Sequence, residues 1–227
     1  MRTKTLLLSG VVAALSGASL MAQVYSLNAV GYINVTVAPG FSIMADQLYA
    51  TNQQTAQFVS PLLDSQLLDG NHNGVELFKY NSVNGYTILI ATGTGWSGAA
   101  TTTTLNPGEA IFIYNPFTTN FTLTFVGQVP QGTLTSTLNQ NFNLASSVVP
   151  QSGALDTALG LVPNAGDEVF FYDPVNGYSI YIASATAGQW QAPKGFPSNP
   201  TPAVGQGFFY YTAAAAGITW TRTFSVL

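Results

Sequence analysis

One passage occurs twice in this chain, and the duplication constrains the fold more than any other feature. Residues 75–90 read VELFKYNSVNGYTILI, and residues 168–182 read EVFFYDPVNGYSIYI. Matching positions continue on both sides of the repeat, as in Phe41 with Phe142 and Phe112 with Phe209. A unit used twice in tandem buries its own apolar face in each copy. The sequence therefore predicts two similar modules of about a hundred residues each.

Within each module, the spacing of large residues predicts β-strands. Residues 121–125 (FTLTF) and 218–226 (ITWTRTFSV) alternate large side chains with Thr or Ser, which is typical of a half-buried strand. An Asn-Gly pair inside each repeated passage predicts a hairpin turn. Helical signals are short, at residues 62–68 and 154–161. We predict an all-β fold of two tandem modules, each a β-sandwich or barrel-like unit.

The N-terminus has the pattern of a secretory signal peptide. Arg2 and Lys4 precede an apolar run over residues 6–20, and Ala22 offers a cleavage site before Gln23. Fifteen apolar residues are few for a hydrocarbon core of about 30 Å, so removal is favoured over a membrane anchor. We predict a signal peptide at 1–22, module 1 at 23–128 and module 2 at 129–227. The mature chain is expected to be secreted or at the cell surface, without a transmembrane helix.

Composition excludes some classes of partner. The mature chain keeps three basic and nine acidic residues, a formal charge of about −6. Nucleic acid binding depends on Lys and Arg at phosphates, so it is not expected here. Only 6% of residues are charged, while 47% are hydrophobic and 12% aromatic, which is enough to bury a sizeable core. Cysteine is absent, so packing rather than disulfides must hold an exported fold together.

A polar stretch before the first repeat resembles half of a calcium loop. Asp69, Asn71 and Asn73 place oxygen atoms at alternate positions, a glycine follows, and Glu76 could supply a further oxygen. The alternative is a polar turn, because Asp, Asn and Gly favour turns without a metal. The second copy reads LVPNAG at this place. A calcium site is therefore a possibility in module 1 only, and no other cofactor is predicted.

Two tryptophans occupy nearly equivalent places in the two copies. Trp96 and Trp190 each follow the second strand of the repeated hairpin. Exposed indole rings suit the apolar faces of sugars, so a pair of carbohydrate-binding sites is one interpretation. The other interpretation is that each ring closes one end of its module's core.

No set of residues predicts catalysis. His72 is the single histidine of the chain, and a Ser-His-Asp relay needs a base that a third group orients. Asp167 and Glu168, with Glu76, could form a carboxylate pair of the kind that cleaves glycosides. Acids at the entrances of strands are more often solvated ends. We therefore expect no enzymatic activity.

Residues 24–37 leave an assembly question open. They read VYSLNAVGYINVTV and precede the first clear counterpart in copy two. They could form the first strand of module 1 or be donated to the sheet edge of a neighbouring molecule.

Four motifs give the chain a resemblance to uncharacterised secreted proteins of Verrucomicrobia-like bacteria. They are AVGYINVTVAPGFS at 29–42, PGEAIF at 107–112, VGQVPQG at 126–132 and WTRTFSV at 220–226. The resemblance implies export and a β architecture of two modules over nearly the whole mature chain. It supplies no activity and no catalytic residue.

These observations favour a non-catalytic secreted or cell-surface structural protein that self-associates through β-strand edges. Its partners would be copies of itself or components of the cell surface. The alternative is a pair of extracellular carbohydrate-binding modules that use glycans as ligands. An outer-membrane β-barrel is a third possibility, although the hairpin strands are short for the roughly 9–11 residues that such a strand needs.

Overall fold

A computed structural model describes residues 29–50, 56–186 and 189–226. The predicted signal peptide lies outside these ranges. The described part contains one helix, α1 (Val59–Leu67), and fourteen strands. The strands of the first half are β1 (Val30–Val37), β2 (Gly40–Met44), β3 (Glu76–Asn81), β4 (Gly85–Thr92), β5 (Gly95–Ser97), β6 (Ile111–Asn115) and β7 (Phe121–Gln128). Those of the second half are β8 (Gly132–Leu138), β9 (Asn141–Ala145), β10 (Glu168–Asp173), β11 (Gly177–Ala183), β12 (Trp190–Gln191), β13 (Phe208–Thr212) and β14 (Ile218–Phe224).

The two halves share one topology. In the first, β1 pairs with β7 in a two-stranded ribbon, beside a sheet of order β2-β6-β3-β4-β5. In the second, β8 pairs with β14, beside a sheet of order β9-β13-β10-β11-β12. Both sheets are open, so the modules are sandwich-like and the barrel-like form does not occur. The predicted all-β fold with two similar modules is confirmed.

β1 belongs to its own module. It pairs antiparallel with β7 over its whole length, from Val30 opposite Gln128 to Val37 opposite Phe121. Its counterpart is β8, which pairs with β14 from Gly132 to Leu138. Residues 24–28 lie outside the described ranges.

The predicted hairpins are confirmed, and the same device closes both. Asn81 Oδ1 accepts hydrogen bonds from the backbone N–H groups of Val83 and Asn84, at 2.9 and 3.1 Å. Gly85 then adopts φ +75°, a left-handed conformation that glycine reaches without strain. In module 2, Asp173 Oδ1 accepts the equivalent two bonds. Either an amide or a carboxylate oxygen can therefore build this turn.

The helical signals were only half right. Residues 62–68 belong to α1, which begins earlier, at Val59, and ends at Leu67. Residues 154–161 form turns and no helix. Leu155 and Leu159 are nevertheless buried there, as Leu63 and Leu67 are in α1. The core of each module thus needs apolar side chains at this place rather than a helix. No helix in the described ranges is long and apolar enough to span a membrane.

Side chains of each large sheet alternate between two apolar faces, as the pleat requires. The inner face, with Leu77, Leu89 and Ile113 fully buried, packs against the β1–β7 ribbon and α1. The outer face is aromatic and carries Phe78, Tyr80 and Phe112. The large sheet of module 2 has the same inner face toward its core and the same aromatic outer face.

The outer faces of the two sheets pack against each other across a local twofold axis. The equivalent rings of Phe112 and Phe209 meet with centroids 5.7 Å apart. Tyr80 lies 5.7 Å from Phe209, and its counterpart Tyr172 lies 5.6 Å from Phe112. Reciprocal contacts of this kind define an isologous interface, here within one chain.

Backbone hydrogen bonds extend the same symmetry. Ala45 N–H donates to Gly205 O at 2.9 Å, and the equivalent Ser146 N–H donates to Gly108 O at 3.0 Å. A second equivalent pair, at 3.3 Å each, is Gly207 N–H to Ile43 O and Ala110 N–H to Leu144 O. Each module therefore adds a short strand-like contact to the other.

On the axis itself the two copies differ at one pair of equivalent positions, which gives a direct test. A Cβ on Gly207 would lie 2.4 Å from the Cβ of Ala110, its counterpart. We expect Gly207→Ala to lower the free energy of unfolding by about 1 to 3 kcal/mol through overpacking. Urea denaturation measures this change.

The exchanged variant, Ala110→Gly with Gly207→Ala, is the matched control. It restores one Cβ at the axis. We therefore expect the double variant to lose clearly less free energy of unfolding than the sum of the losses in the two single variants. Strict additivity would show that the two positions do not touch.

Candidate functional site

The outer faces of the two sheets cover each other only in part. What remains exposed is a surface at the module junction, which we call the aromatic groove. Its members have large apolar side chains that stay 38–49% exposed, and they come in equivalent pairs. The pairs are Phe41 with Phe142, Tyr86 with Tyr178, and Ile88 with Ile180.

The groove consists of two pockets of about 400 and 350 Å³. Each has a floor from one sheet and a wall that includes two tyrosines of the other module. Tyr86 and Tyr178 line both pockets and stand between them. The first is lined by Phe41, Phe78, Tyr86, Ile88, Phe112, Tyr172 and Tyr178. The second is lined by the equivalent seven: Phe142, Phe170, Tyr178, Ile180, Phe209, Tyr80 and Tyr86.

Contacts between tyrosines hold the walls of the groove. Tyr80 and Tyr86 meet edge to face at 5.1 Å, and so do Tyr172 and Tyr178. Burial raises the pKa of the Tyr86 and Tyr178 hydroxyls above the ordinary value, and neighbouring tyrosines add to the effect. These hydroxyls stay protonated at neutral pH. The groove therefore offers apolar surface with a few neutral hydroxyls and suits an apolar partner.

The two tryptophans are tied into the modules by matching hydrogen bonds. Trp96 Nε1–H donates to Asp64 Oδ1 at 2.6 Å, and Trp190 Nε1–H donates to Asp156 Oδ2 at 2.9 Å. Trp96 packs against the first core, and Trp190 is 9% exposed in the second. This placement favours the interpretation that the rings close the cores, and Trp190 offers no open ring face for a sugar.

The calcium-like stretch forms a compact turn around Asp69. Its carboxylate accepts bonds from the backbone N–H and Nδ2 of Asn71, at 2.9 and 3.1 Å, and His72 Nδ1 lies 2.9 Å away. These bonds, that of His72 foremost, lower the pKa of Asp69 to about 2. Asn73 lies near Gly93, and Glu76 opens β3. The described ranges contain no group of three or more His, Cys, Asp or Glu side chains placed to hold a metal. Calcium binding by Asp69, Asn71, Asn73 and Glu76 stays a prediction.

Other acidic side chains serve the fold. Asp167 Oδ2 accepts bonds from the Tyr210 hydroxyl at 2.7 Å and from Asn164 N–H at 2.8 Å. Burial, with Asp167 beside it, raises the pKa of Tyr210. Glu109 Oε2 accepts from Asn106 N–H at 2.7 Å. Each carboxylate fixes a neighbouring loop or strand.

Sequence patterns alone did not identify the groove. A signal was present in the repeat, because residues 76–80 (ELFKY) and 168–172 (EVFFY) carry apolar side chains on both faces. Strands with two apolar faces require cover on both sides of the sheet.

No protein-family model, curated protein or solved structure matches this chain. Its function is therefore inferred from the chemistry of the surfaces themselves.

One buried acid lies next to the intermodule contact and makes stability depend on pH. Asp46 is 1% exposed, and its Oδ1 accepts a bond from Leu48 N–H at 2.9 Å. Burial raises its pKa from 3.8 to about 7, although bonds from Leu48 and Gln57 act in the opposite direction. Between these two pKa values the folded chain binds more protons than the unfolded chain. Stability must then fall as pH rises.

We expect the contribution of Asp46 to be most favourable below pH 4 and to be lost by about pH 7, a change of roughly 4 kcal/mol. Chemical denaturation at a series of pH values measures it. Asp46→Asn should flatten the dependence of stability on pH in this range. Asp173→Asn, at an exposed hairpin turn, should leave that dependence between pH 4 and pH 7 as it is in the wild type. An unchanged slope in Asp46→Asn would contradict this assignment.

Proposed function

We propose that this protein is a non-catalytic, exported structural protein that self-associates through its aromatic groove. The observation that carries the proposal is the set of six large, half-exposed apolar side chains on one continuous surface. Contiguous exposed patches of this kind mark interaction sites. Homodimer interfaces are also more apolar than the rest of a protein surface.

The symmetry of the groove favours a second copy of the chain as the partner. Equivalent residues of the two modules line both of its halves. A surface with local twofold symmetry can meet an identical surface in a closed, isologous pair. It also continues the layer of Phe112 and Phe209, which already joins two equivalent surfaces inside the chain.

The sequence suggested the edges of β-strands as assembly sites. In the two large sheets these edges offer less surface for self-association than the groove does. β5 and β12 are edge strands of three and two residues. At the opposite edges, the ends of β2 and β9 already bridge the other module, at Met44 with Gln206 and Ala145 with Glu109. Short or occupied edges are poor templates for another strand.

Export to the outside of the cell belongs to the same proposal. It rests on the leader pattern of residues 1–22 and on a composition poor in charged residues. The cell-surface location and the division into residues 23–128 and 129–227 are proposed with it.

Sedimentation velocity of the mature chain over a range of dilutions tests self-association. We expect a dimer or larger species that dissociates on dilution. The variant Ile88→Thr with Ile180→Thr keeps β-branched side chains in β4 and β11 and removes apolar groove surface. It should weaken association about tenfold or more, because two half-exposed side chains lose their contacts.

The matched control is Val83→Thr with Val175→Thr. These valines are also equivalent and are 87% exposed, but they lie at the hairpin turns outside the groove pockets. The control should associate as the wild type does. A monomer at every dilution would reject self-association, whereas equal association in both double variants would reject the groove as its site.

A further inference from the structure

A second cavity lies between the modules. It shares Tyr80 and Phe142 with the groove, but most of its other lining side chains are polar. It has a volume of about 440 Å³, and we call it the polar cleft. The β3–β4 hairpin forms one wall with Lys79, Asn84 and Thr87, and residues 102–104 lie beside it. Residues 136–139 and 142–145 of module 2 form the other wall. Its size and its place between modules are typical of a ligand site.

The walls of the cleft are mainly neutral and polar. Hydroxyl and amide groups, such as those of Thr87, Thr104 and Asn84, can both donate and accept hydrogen bonds. The rings of Tyr80 and Phe142 add apolar surface. A sugar presents the complementary set, with many hydroxyls and apolar C–H faces.

Lys79 and Glu109 form an ion pair in the wall of the cleft. The Nζ of Lys79 lies 3.1 Å from Glu109 Oε2. The nitrogen is buried, and within the described part of the chain it has no acceptor besides this carboxylate. Burial lowers the pKa of Lys79, while Glu109 acts to raise it. An ammonium group has three N–H donors. Glu109 can accept only part of this capacity, so a buried pair of this kind is costly to the fold.

Module 2 shows that the fold does not need this ion pair. Phe171 stands at the position of Lys79, and Gln206 at that of Glu109. Gln206 Oε1 accepts a bond from Ala203 N–H at 2.9 Å. Glu109 makes the equivalent bond to Asn106. A neutral glutamine therefore holds the same turn, so the turn requires neither charge in module 1.

The equivalent place in module 2 is also filled differently. Phe196 and Pro197, from the insertion in that copy, line the smaller cavity beside Phe171, which has a volume of about 280 Å³. The ion pair in the wall of the cleft is thus a property of module 1, whereas the cleft itself lies between the two modules. Differences between copies of one folding unit mark positions where a ligand, rather than the fold, can have set the residues.

We propose that the polar cleft binds a neutral oligosaccharide. Asn84 and Thr87 exchange hydrogen bonds with its hydroxyls, and the rings of Tyr80 and Phe142 pack against its C–H face. This inference replaces Trp96 and Trp190 as sugar contacts and does not depend on self-association.

Isothermal titration calorimetry of the mature chain with cellohexaose, mannohexaose and xylohexaose tests the proposal. At least one should bind with one site per chain. The variant Asn84→Ala with Thr87→Val should weaken that binding about tenfold. Both side chains are exposed, so the module should keep its fold and its melting temperature.

The matched control is Asn176→Ala with Ser179→Ala, at the equivalent positions of module 2. It should bind as the wild type does. Absence of binding by all three sugars at millimolar concentration would overturn the proposal. Equal binding by the two double variants would also overturn it. Sedimentation of the Asn84→Ala, Thr87→Val variant should match that of the wild type, which separates this result from the test of the groove.

Discussion

The structure depends on one constraint, which is that each five-stranded sheet is apolar on both faces. In β3, Leu77 points into the module core while its neighbour Phe78 points to the outer aromatic layer. A ribbon and a short helical or turn segment cover the inner face. The outer face needs a second cover, and the equivalent face of the other module provides it. Tandem duplication thus solves a burial problem that a single module would leave open, and the part left uncovered becomes the aromatic groove.

The two modules carry similar residue types at equivalent positions that are buried or that line the shared aromatic layer. They differ in residue type at positions away from that layer. The seven lining positions of each groove pocket are aromatic or branched aliphatic in both modules, because the same layer crosses the local axis. On the axis itself only one Cβ fits, so Ala110 meets Gly207. Away from the axis, Lys79 and Phe171 occupy equivalent sites with different chemistry. The groove is therefore a product of the shared fold, whereas the ion pair beside the polar cleft is found in one copy.

Local sequence signals predicted the modules, the hairpins and their turns, because these depend on alternation and on Asn-Gly pairs. The counterpart of β1 escaped detection because residues 31–37 (GYINVTV) and 132–138 (GTLTSTL) share a pattern but few identities. The role of Trp96 depends on a bond to Asp64, 32 positions away, which no local pattern contains. The groove was missed because one buried face per strand was assumed, and only the packing of two whole sheets shows which aromatic side chains stay exposed.

The direct test of this account is a nuclear Overhauser experiment on the mature chain with assigned phenylalanine and tyrosine rings, at a dilution where the chain is monomeric. Phe112 and Phe209 are 5.7 Å apart across the axis, and Phe41 and Phe112 are 6.1 Å apart within module 1. We predict cross-peaks for both pairs, and for Phe112 with Tyr172. A cross-peak between Phe41 and Phe112 without any between the modules would contradict the twofold packing on which the groove and the cleft depend.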